Sequence, residues 1–480
     1  MKKLTVGSKL AYGVGQTAEQ IKIQGFDMFV FFYFSQVLGL EAWLTGLAVS
    51  LALIFDAFSD PMVGSLSDNF RSRFGRRHPF MYFAAIPLGV FWTLIFFPPA
   101  GFGQLGLFLW LATFAILVRT AMTFYLVPHL ALGAELAGDY QERTSIVNYR
   151  VMFGLLGGVM TSVLGLGFFF PESSLYEHRL LNPEGYPNVA IFGGIVMAVA
   201  ILIAALGTKK HIPRLPSAPT IPIAFSFSRV FSEFKMAFAS PSFRALFFGI
   251  CFSAVSYGLY QTIAVHMNVF FWRISHQEIA VLTAFYIPAF FTAGALSKWL
   301  HNKYDKKPVL MVAVLTIGII GITPVIAHML GYFPVDYKGE PKLAYLAMTS
   351  YIFGTAVAMI FITSGSMMAD VAHENTLKNG TNQEGVFLSA ISFSGKLSSG
   401  VGHLLAGIFL SLIQFPVKAK DPALIDISTV HSLAWICILA SFIGACGAIF
   451  YRRYKLTKHD FEQADTYDEA TDEALSTPVI

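Results

Sequence analysis

The sequence is poor in charge. Of its 480 residues only 13% are Asp, Glu, Lys or Arg, whereas 55% are hydrophobic. Since a soluble domain carries roughly 25% charged residues, this chain has too little polar surface to cover a water-soluble core of its size. The composition therefore excludes an ordinary soluble globular protein and predicts a polytopic membrane protein.

Features of several other protein classes are also missing. The three cysteines, Cys251, Cys437 and Cys446, all lie in apolar segments, which fits neither a disulfide framework nor a metal site. The sequence has no HExxH motif, no GxSxG motif and no His/Cys cluster, so nothing favours a membrane enzyme. A channel filter motif and a cleavable signal peptide are likewise missing, and we expect no nucleic-acid partner.

Long apolar stretches are what the sequence has instead. About twelve are long enough to span a bilayer as helices. They cover approximately residues 8–38, 42–66, 79–98, 104–135, 145–170, 188–207, 242–271, 277–300, 308–330, 342–370, 384–412 and 430–451. We therefore predict an N-terminal bundle (1–207), a Pro-rich basic middle loop (208–241), a C-terminal bundle (242–453) and an acidic tail (454–480).

Lys and Arg are concentrated in the loops on one side of the predicted spans, most densely from Arg71 to Arg77. The positive-inside rule makes that side cytoplasmic and places both termini there.

The two halves of the chain also carry similar residues at equivalent places. Glu135 ends span four as Asp370 ends span ten, and basic turns follow Asp68 in span two and Lys298 in span eight. These similarities predict a duplicated six-helix unit.

Two carboxylates, Asp56 and Asp60, lie in the apolar second span. Four residues apart on a helix, they share one face. A carboxylate near the bilayer centre costs roughly 2.5–3.5 kcal/mol on insertion scales, and two on one face repel each other. The pattern favours a cation site, because hard cations bind several oxygen ligands. Pairing with arginines is the alternative, and Arg119 in span four is a candidate charge partner.

Five segments resemble the glycoside–pentoside–hexuronide:cation symporters, a branch of the major facilitator superfamily typified by melibiose permease. They are Lys9–Gly15, Asp56–Pro61, Arg71–Arg77, Val127-Pro128 and Ser394–Lys396. The resemblance implies an all-α polytopic membrane protein with twelve transmembrane helices in two six-helix bundles. It also implies substrate and cation sites near the midplane, and a bacterial inner membrane location.

The resemblance implies a cation site formed by Asp56, Ser59, Asp60 and Thr123, with the two carboxylates as the metal ligands. The sugar site matches less well. Its helix-five arginine and helix-eleven lysine correspond to Arg150 and Lys396, but its other sugar-binding positions are Gln20, Leu126 and Leu130 here.

An acid elsewhere in span one could replace those that are missing. Gln20, Ile23 and Asp27 share one helical face, so Asp27 is our candidate. At the basic turn we expect a gate in which arginines bind Asp68 and helix ends and release when that face opens. The expected gating residues are Gly64, Asp68, Arg73, Arg76 and Arg77.

The sequence therefore predicts symport of a sugar or glycoside by alternating access, in a monomer, coupled to sodium or alternatively to protons. No cofactor other than the coupling ion is expected. Uptake of a lysolipid or another amphiphile remains the alternative. It is favoured by the aliphatic Leu126 and Leu130, and by a similarity of residues 383–396 to the sodium-coupled lysolipid symporters.

Overall fold

The computed structural model describes residues 4–216, 226–332, 340–379 and 384–457. Within these ranges ten helices are long and apolar enough to cross a membrane. Two further helical segments complete the twelve expected spans, namely residues 6–37 and Glu384–Leu412. The predicted acidic tail from residue 458 onward and part of the middle loop lie outside the described residues.

The N-terminal bundle contains the first six spans. The first span is a chain of shorter pieces that includes two π-helical turns, Phe26–Val30 and Tyr33–Val37. The helices of this bundle are α1 (Val6–Val14), α2 (Gln16–Gly25), α3 (Ala42–Asn69), α4 (His78–Ile95), α5 (Gln104–Leu136), α6 (Tyr140–Phe168) and α7 (Gly185–Thr208).

The C-terminal bundle contains the other six spans. Its helices, with the short α8 of the middle loop, are α8 (Phe227–Ala237), α9 (Pro241–His266), α10 (His276–Ala284), α11 (Tyr286–Lys303), α12 (Lys306–Met329), α13 (Glu340–Asn379), α14 (Glu384–Leu412) and α15 (Ile427–Tyr451). The eighth span of the chain consists of two helices, α10 and α11. Most boundaries lie within a few residues of the prediction, but α13 continues nine residues beyond it.

Several helices begin where a side chain caps the first free backbone N–H groups. Asp139 accepts from the Glu142 N–H at the start of α6, and Ser240 accepts from the Phe243 N–H at the start of α9. Ser275 forms a capping box at the start of α10. Such caps satisfy donors that a helix leaves unpaired, and they fix where each span enters from its loop.

The same ionic contact occurs in both bundles at the end that carries the basic loops, which we call the basic end. Arg76 Nη2 lies 2.8 Å from Glu135 Oε1 and Arg77 Nη2 lies 2.9 Å from it. Lys306 Nζ lies 2.7 Å from Asp370 Oδ2 at the equivalent place in the C-terminal bundle. In each half, a basic residue at or near the start of the third span (α4 or α12) binds a carboxylate of the fourth span (α5 or α13). This contact thus recurs in the two halves that the sequence predicts to be duplicates.

The predicted contact between the basic turn and Asp68 is also present. Arg77 is 4% exposed and contacts Asp68 in addition to Glu135. Its Nη1 donates to Ser67 Oγ at 2.6 Å. Of the other expected gating residues, Gly64 faces Val127 of α5, and the Arg73 guanidinium lies 4.8 Å from the ring centre of Phe74.

The two bundles are joined at the opposite end of the molecule. The Lys418 N–H donates to the Gln36 carbonyl at 2.8 Å, and the Glu177 N–H donates to the Lys420 carbonyl at 3.0 Å. His178 Nε2 lies 3.0 Å from the Ile274 carbonyl oxygen. Each contact links a residue of the N-terminal half to one of the C-terminal half, so this end is closed.

Helices α3 and α14 pack against each other along the boundary between the bundles. A Cβ on Gly46 would lie 2.6 Å from the His403 carbonyl oxygen, and one on Gly407 would lie 2.3 Å from the Ala42 carbonyl oxygen. Neither helix therefore tolerates a larger residue at these positions without moving. Small residues commonly allow this close approach between membrane helices.

We predict that Arg77→Ala lowers the free energy of unfolding by about 3 kcal/mol, because it leaves Glu135 half-neutralised in a buried position. Arg73→Ala is the matched control, since exposed side chains away from such networks change stability by less than about 0.5 kcal/mol. Thermal unfolding of the purified variants would test this order. Equal midpoints for the two variants would show that the Arg77 contacts contribute little.

Candidate functional site

Asp56 and Asp60 face α5 from one turn of α3. Thr123 Oγ1 lies 2.7 Å from Asp56 Oδ1 and 3.1 Å from Asp60 Oδ1. Ser59 Oγ donates to the Asp56 carbonyl at 3.1 Å and lies 3.4 Å from Thr123 Oγ1. The four residues expected at the cation site therefore form one cluster of oxygen atoms. Asp56 is its most deeply placed carboxylate, with 3% of its surface exposed.

Cationic side chains surround these two carboxylates. Lys396 Nζ on α14 lies 3.0 Å from Asp56 Oδ2 and also contacts Asp60 Oδ2. Arg119 Nη1 on α5 lies 3.5 Å from Asp56 Oδ2. The charge of Lys22 on α2, a residue that is only 5% exposed, also interacts with Asp56. The two carboxylates thus lie among three cationic side chains.

Lys396 differs from the other two cations because it comes from the opposite bundle. Asp60 and Lys396 are 336 positions apart in the sequence. Arg119, in contrast, belongs to the same bundle as the carboxylates and is also held by Phe26, whose ring centre lies 4.8 Å from the guanidinium carbon. The Lys396 contact therefore depends on the relative position of the bundles, whereas the Arg119 contact does not.

A polar cavity of about 220 Å³ lies between the bundles, and we call it the central cavity. Gln20, Gln24 and Asp27 line it from the first span, and Gln261 and Asn268 line it from α9 and the π-helical turn that follows. Gln261 Nε2 donates to Asp27 Oδ2 at 3.5 Å. The cavity thus offers amide and carboxylate groups, the types that bind the hydroxyl groups of a polar solute.

The expected substrate residues do not all meet here. Gln20 and Asp27 line the central cavity, whereas Ile23, Leu126, Leu130, Arg150 and Lys396 do not. Leu126 packs against the hydrophobic core, and Leu130 is 39% exposed. Arg150 interacts with Tyr12, and Lys396 with the two carboxylates. Asp27 and Gln20 therefore line a cavity that the other five expected substrate residues do not reach.

Other residues that line the central cavity were not singled out as substrate ligands from the sequence. The polar ones among them are Gln24, Gln261, Asn268, Thr283, Tyr286 and Tyr257. The available signal was the presence of uncharged polar residues inside membrane spans, which usually face a bundle interior or a cavity.

Comparison with known proteins agrees with this architecture. The sequence matches the family described as MFS/sugar transport protein over residues 11–458. It is 23% identical to the putative glycoside/cation symporter YagG of Escherichia coli, covering 95% of this chain and 93% of that protein. It is 22% identical to the isoprimeverose transporter of Lactiplantibacillus pentosus, covering 96% and 92%.

A third relative is named for a different solute. The chain is 22% identical to sodium-dependent lysophosphatidylcholine symporter 1 of Xenopus tropicalis, covering 96% of this chain and 89% of that protein. Among solved structures, the fold is similar to a bacterial homologue of the human lysosomal transporter Spinster in an inward-facing, unoccupied conformation. That match has a TM-score of 0.62 and 16% identity, and it covers 94% and 96% of the two chains. The chain belongs to the MFS/sugar transport protein family and is a multi-pass membrane transporter with the major facilitator fold.

Proposed function

We propose that this protein is a sodium-coupled symporter of a sugar or glycoside, with Asp56 and Asp60 as the sodium ligands and the central cavity as the solute site. The observation that carries the proposal is the cluster of Asp56, Asp60, Ser59 and Thr123 oxygens beside a lysine from the other bundle. The glycoside and isoprimeverose transporters among the relatives support the solute class.

The residues present fit a small hard cation. Two carboxylates and two hydroxyls supply oxygen atoms, the ligand type that such ions prefer. Thr123 Oγ1 is already close to both carboxylates, so a modest rearrangement would point all four groups at one ion. The ion would neutralise the repulsion between Asp56 and Asp60, which is the role that the Lys396 ammonium performs in this structure.

Coupling follows from that exchange. If sodium replaces the ammonium, Lys396 is released from α3 and the ionic tie between the bundles is lost. Ion binding then changes the relative stability of the two bundle arrangements, as coupling between two sites requires. A solute that contacts both bundles in the central cavity would favour the arrangement with sodium bound, and the two ligands would be transported together.

The location proposed for this protein is a bacterial inner membrane, with the basic end and both termini in the cytoplasm and the monomer as the functional unit. The distribution of Lys and Arg supports this orientation. In that orientation the end joined by Gln36, Glu177 and His178 is extracellular. The structure would then represent a state closed to the outside.

Sodium should stabilise the purified protein against heat, measured in NaCl against choline chloride at equal ionic strength. A ligand at 100 times its dissociation constant adds about 2.7 kcal/mol of stability. Asp56→Asn and Asp60→Asn should abolish the effect. Thr123→Val should weaken the sodium affinity about tenfold by removing hydrogen bonds to charged groups.

Thr120→Val is the matched control for Thr123→Val, because the Thr120 hydroxyl bonds only within its own helix, to the Ile116 carbonyl at 2.7 Å. A full sodium response in both Asn variants would refute the ion site. Uptake that follows a pH gradient without sodium would instead assign the proton as the coupling ion.

Lys396→Met should have opposite effects on binding and transport. Removing the competing ammonium is expected to raise the sodium affinity several-fold, whereas solute uptake should fall because the release step is lost. Lys298→Met on the exposed side of α11 is the control. Sodium titration by thermal shift and uptake into proteoliposomes measure the two quantities separately. An unchanged sodium affinity would contradict the exchange.

Asp27→Asn should weaken solute binding about tenfold while leaving the sodium affinity within about twofold of wild type, because hydrogen bonds to a charged group contribute about 1.5–3 kcal/mol. Glu41→Gln, at the start of α3, is a control carboxylate outside the central cavity. Concentration dependence of uptake would reveal the change. Wild-type uptake by Asp27→Asn would remove this residue from the solute site.

A further inference from the structure

The C-terminal bundle contains a second cavity, of about 290 Å³, which we call the apolar chamber. It lies between α9, α12, α13, α14 and α15. Apolar side chains form most of its wall, among them Ala254, Ile317 and Val357. The central cavity, in contrast, has carboxylate and amide groups in its wall, among them Asp27 and Gln261. The two cavities therefore suit different chemical groups.

Three serine hydroxyls in the wall of the apolar chamber are bonded to the protein. Ser256 Oγ donates to the Ala440 carbonyl at 2.7 Å, and Ser253 Oγ lies 3.3 Å from the Tyr451 hydroxyl. Ser364 Oγ donates to the Phe361 carbonyl at 3.4 Å. Because these three hydroxyls are already bonded and apolar side chains form most of the wall, a molecule in the chamber would meet mainly hydrocarbon, which favours an apolar occupant.

The apolar chamber and the central cavity share one wall residue, Tyr257 of α9. Ala254 lines the chamber and Gln261 lines the central cavity, seven residues farther along the same helix. At 1.5 Å per residue, this separation is about 10 Å. The chamber also reaches α14 at Ser392 and Gly395, next to Lys396. A single small molecule could therefore occupy both spaces, with Tyr257 at the point where they meet.

We propose that the apolar chamber binds the aglycone of the transported solute, and that this solute is a glycoside with an alkyl or aryl group attached to its sugar. The sugar occupies the central cavity, near Asp27 and Gln261. The aglycone passes Tyr257 and lies against Ala254, Ile317 and Val357. This inference rests on the proposed function for the sugar, and it adds a separate binding site for the rest of the molecule.

Alkyl β-D-glucosides with chains of one to eight carbons test the chamber. Binding is measured by calorimetry on the full chain in lipid nanodiscs with sodium, after subtracting the heat from empty nanodiscs. Since burying one methylene contributes about 0.8 kcal/mol, the dissociation constant should fall about fourfold with each added carbon until the chamber is filled. Ile317→Phe and Ala254→Phe, which narrow the chamber, should flatten this dependence and leave the affinity for methyl glucoside unchanged.

Ile319→Phe is the matched control. It makes the same substitution two residues away on α12, at a side chain that is 63% exposed on the outside of the bundle. It should retain the wild-type dependence on chain length, which excludes partition into the bilayer as the cause. Equal slopes in Ile317→Phe and Ile319→Phe would overturn the proposal.

The remaining outcomes separate this inference from the proposed function. Sodium-dependent binding of methyl glucoside with no gain from longer chains would keep the proposed sugar transport and refute the apolar chamber. If no glucoside binds but lysophosphatidylcholine does, and Ile317→Phe abolishes that binding, the glycoside assignment fails while the chamber is supported as the site of an apolar chain. Failure of every probe to bind would overturn both.

Discussion

The arrangement of the transport site depends on the pairing of Asp56 and Asp60 with Lys396. Two carboxylates within one turn of a membrane helix repel each other and are poorly solvated. The ammonium that offsets this cost comes from α14, in the other bundle. The electrostatic stability of α3 in the N-terminal bundle is therefore linked to the position of the C-terminal bundle. This link allows an ion that binds locally to affect the arrangement of the whole protein.

The contacts between the bundles differ in kind along the molecule. At the closed end they include hydrogen bonds to main-chain carbonyls, such as Lys418 N–H to Gln36. In the middle they include the ion pairs of Lys396 with Asp56 and Asp60, which depend on which cation occupies the carboxylates. At the basic end, the Arg77 and Lys306 contacts lie within each half and can hold each bundle together during the movement. Such a division suits rigid-body motion of two bundles.

The sequence was sufficient to predict the spans, the shared face of Asp56 and Asp60, and the nearness of Arg119, because these depend on hydropathy and on local helical spacing. It could not indicate which face of each helix lines a cavity. Membrane helices are apolar on nearly all sides, so periodicity carries little information about orientation. Arg150 and Leu130 were grouped with Asp27 on the family resemblance, which does not specify the cavity that each side chain lines. The direct contact of Lys396 with both carboxylates and the shared position of Tyr257 required the tertiary structure.

The glycine contacts between α3 and α14 have a mechanical consequence. Backbones that touch at Gly46 and Gly407 cannot move closer, so a movement that keeps them in contact must roll or slide one helix on the other. At the usual rise per residue, Lys396 lies about 16 Å along α14 from Gly407, and Asp60 lies about 21 Å along α3 from Gly46. A small change in the crossing angle at the glycine contacts would produce a larger displacement at the ion pair, which lies farther along both helices. A slight tilt could thus separate the charges while the helices remain in contact.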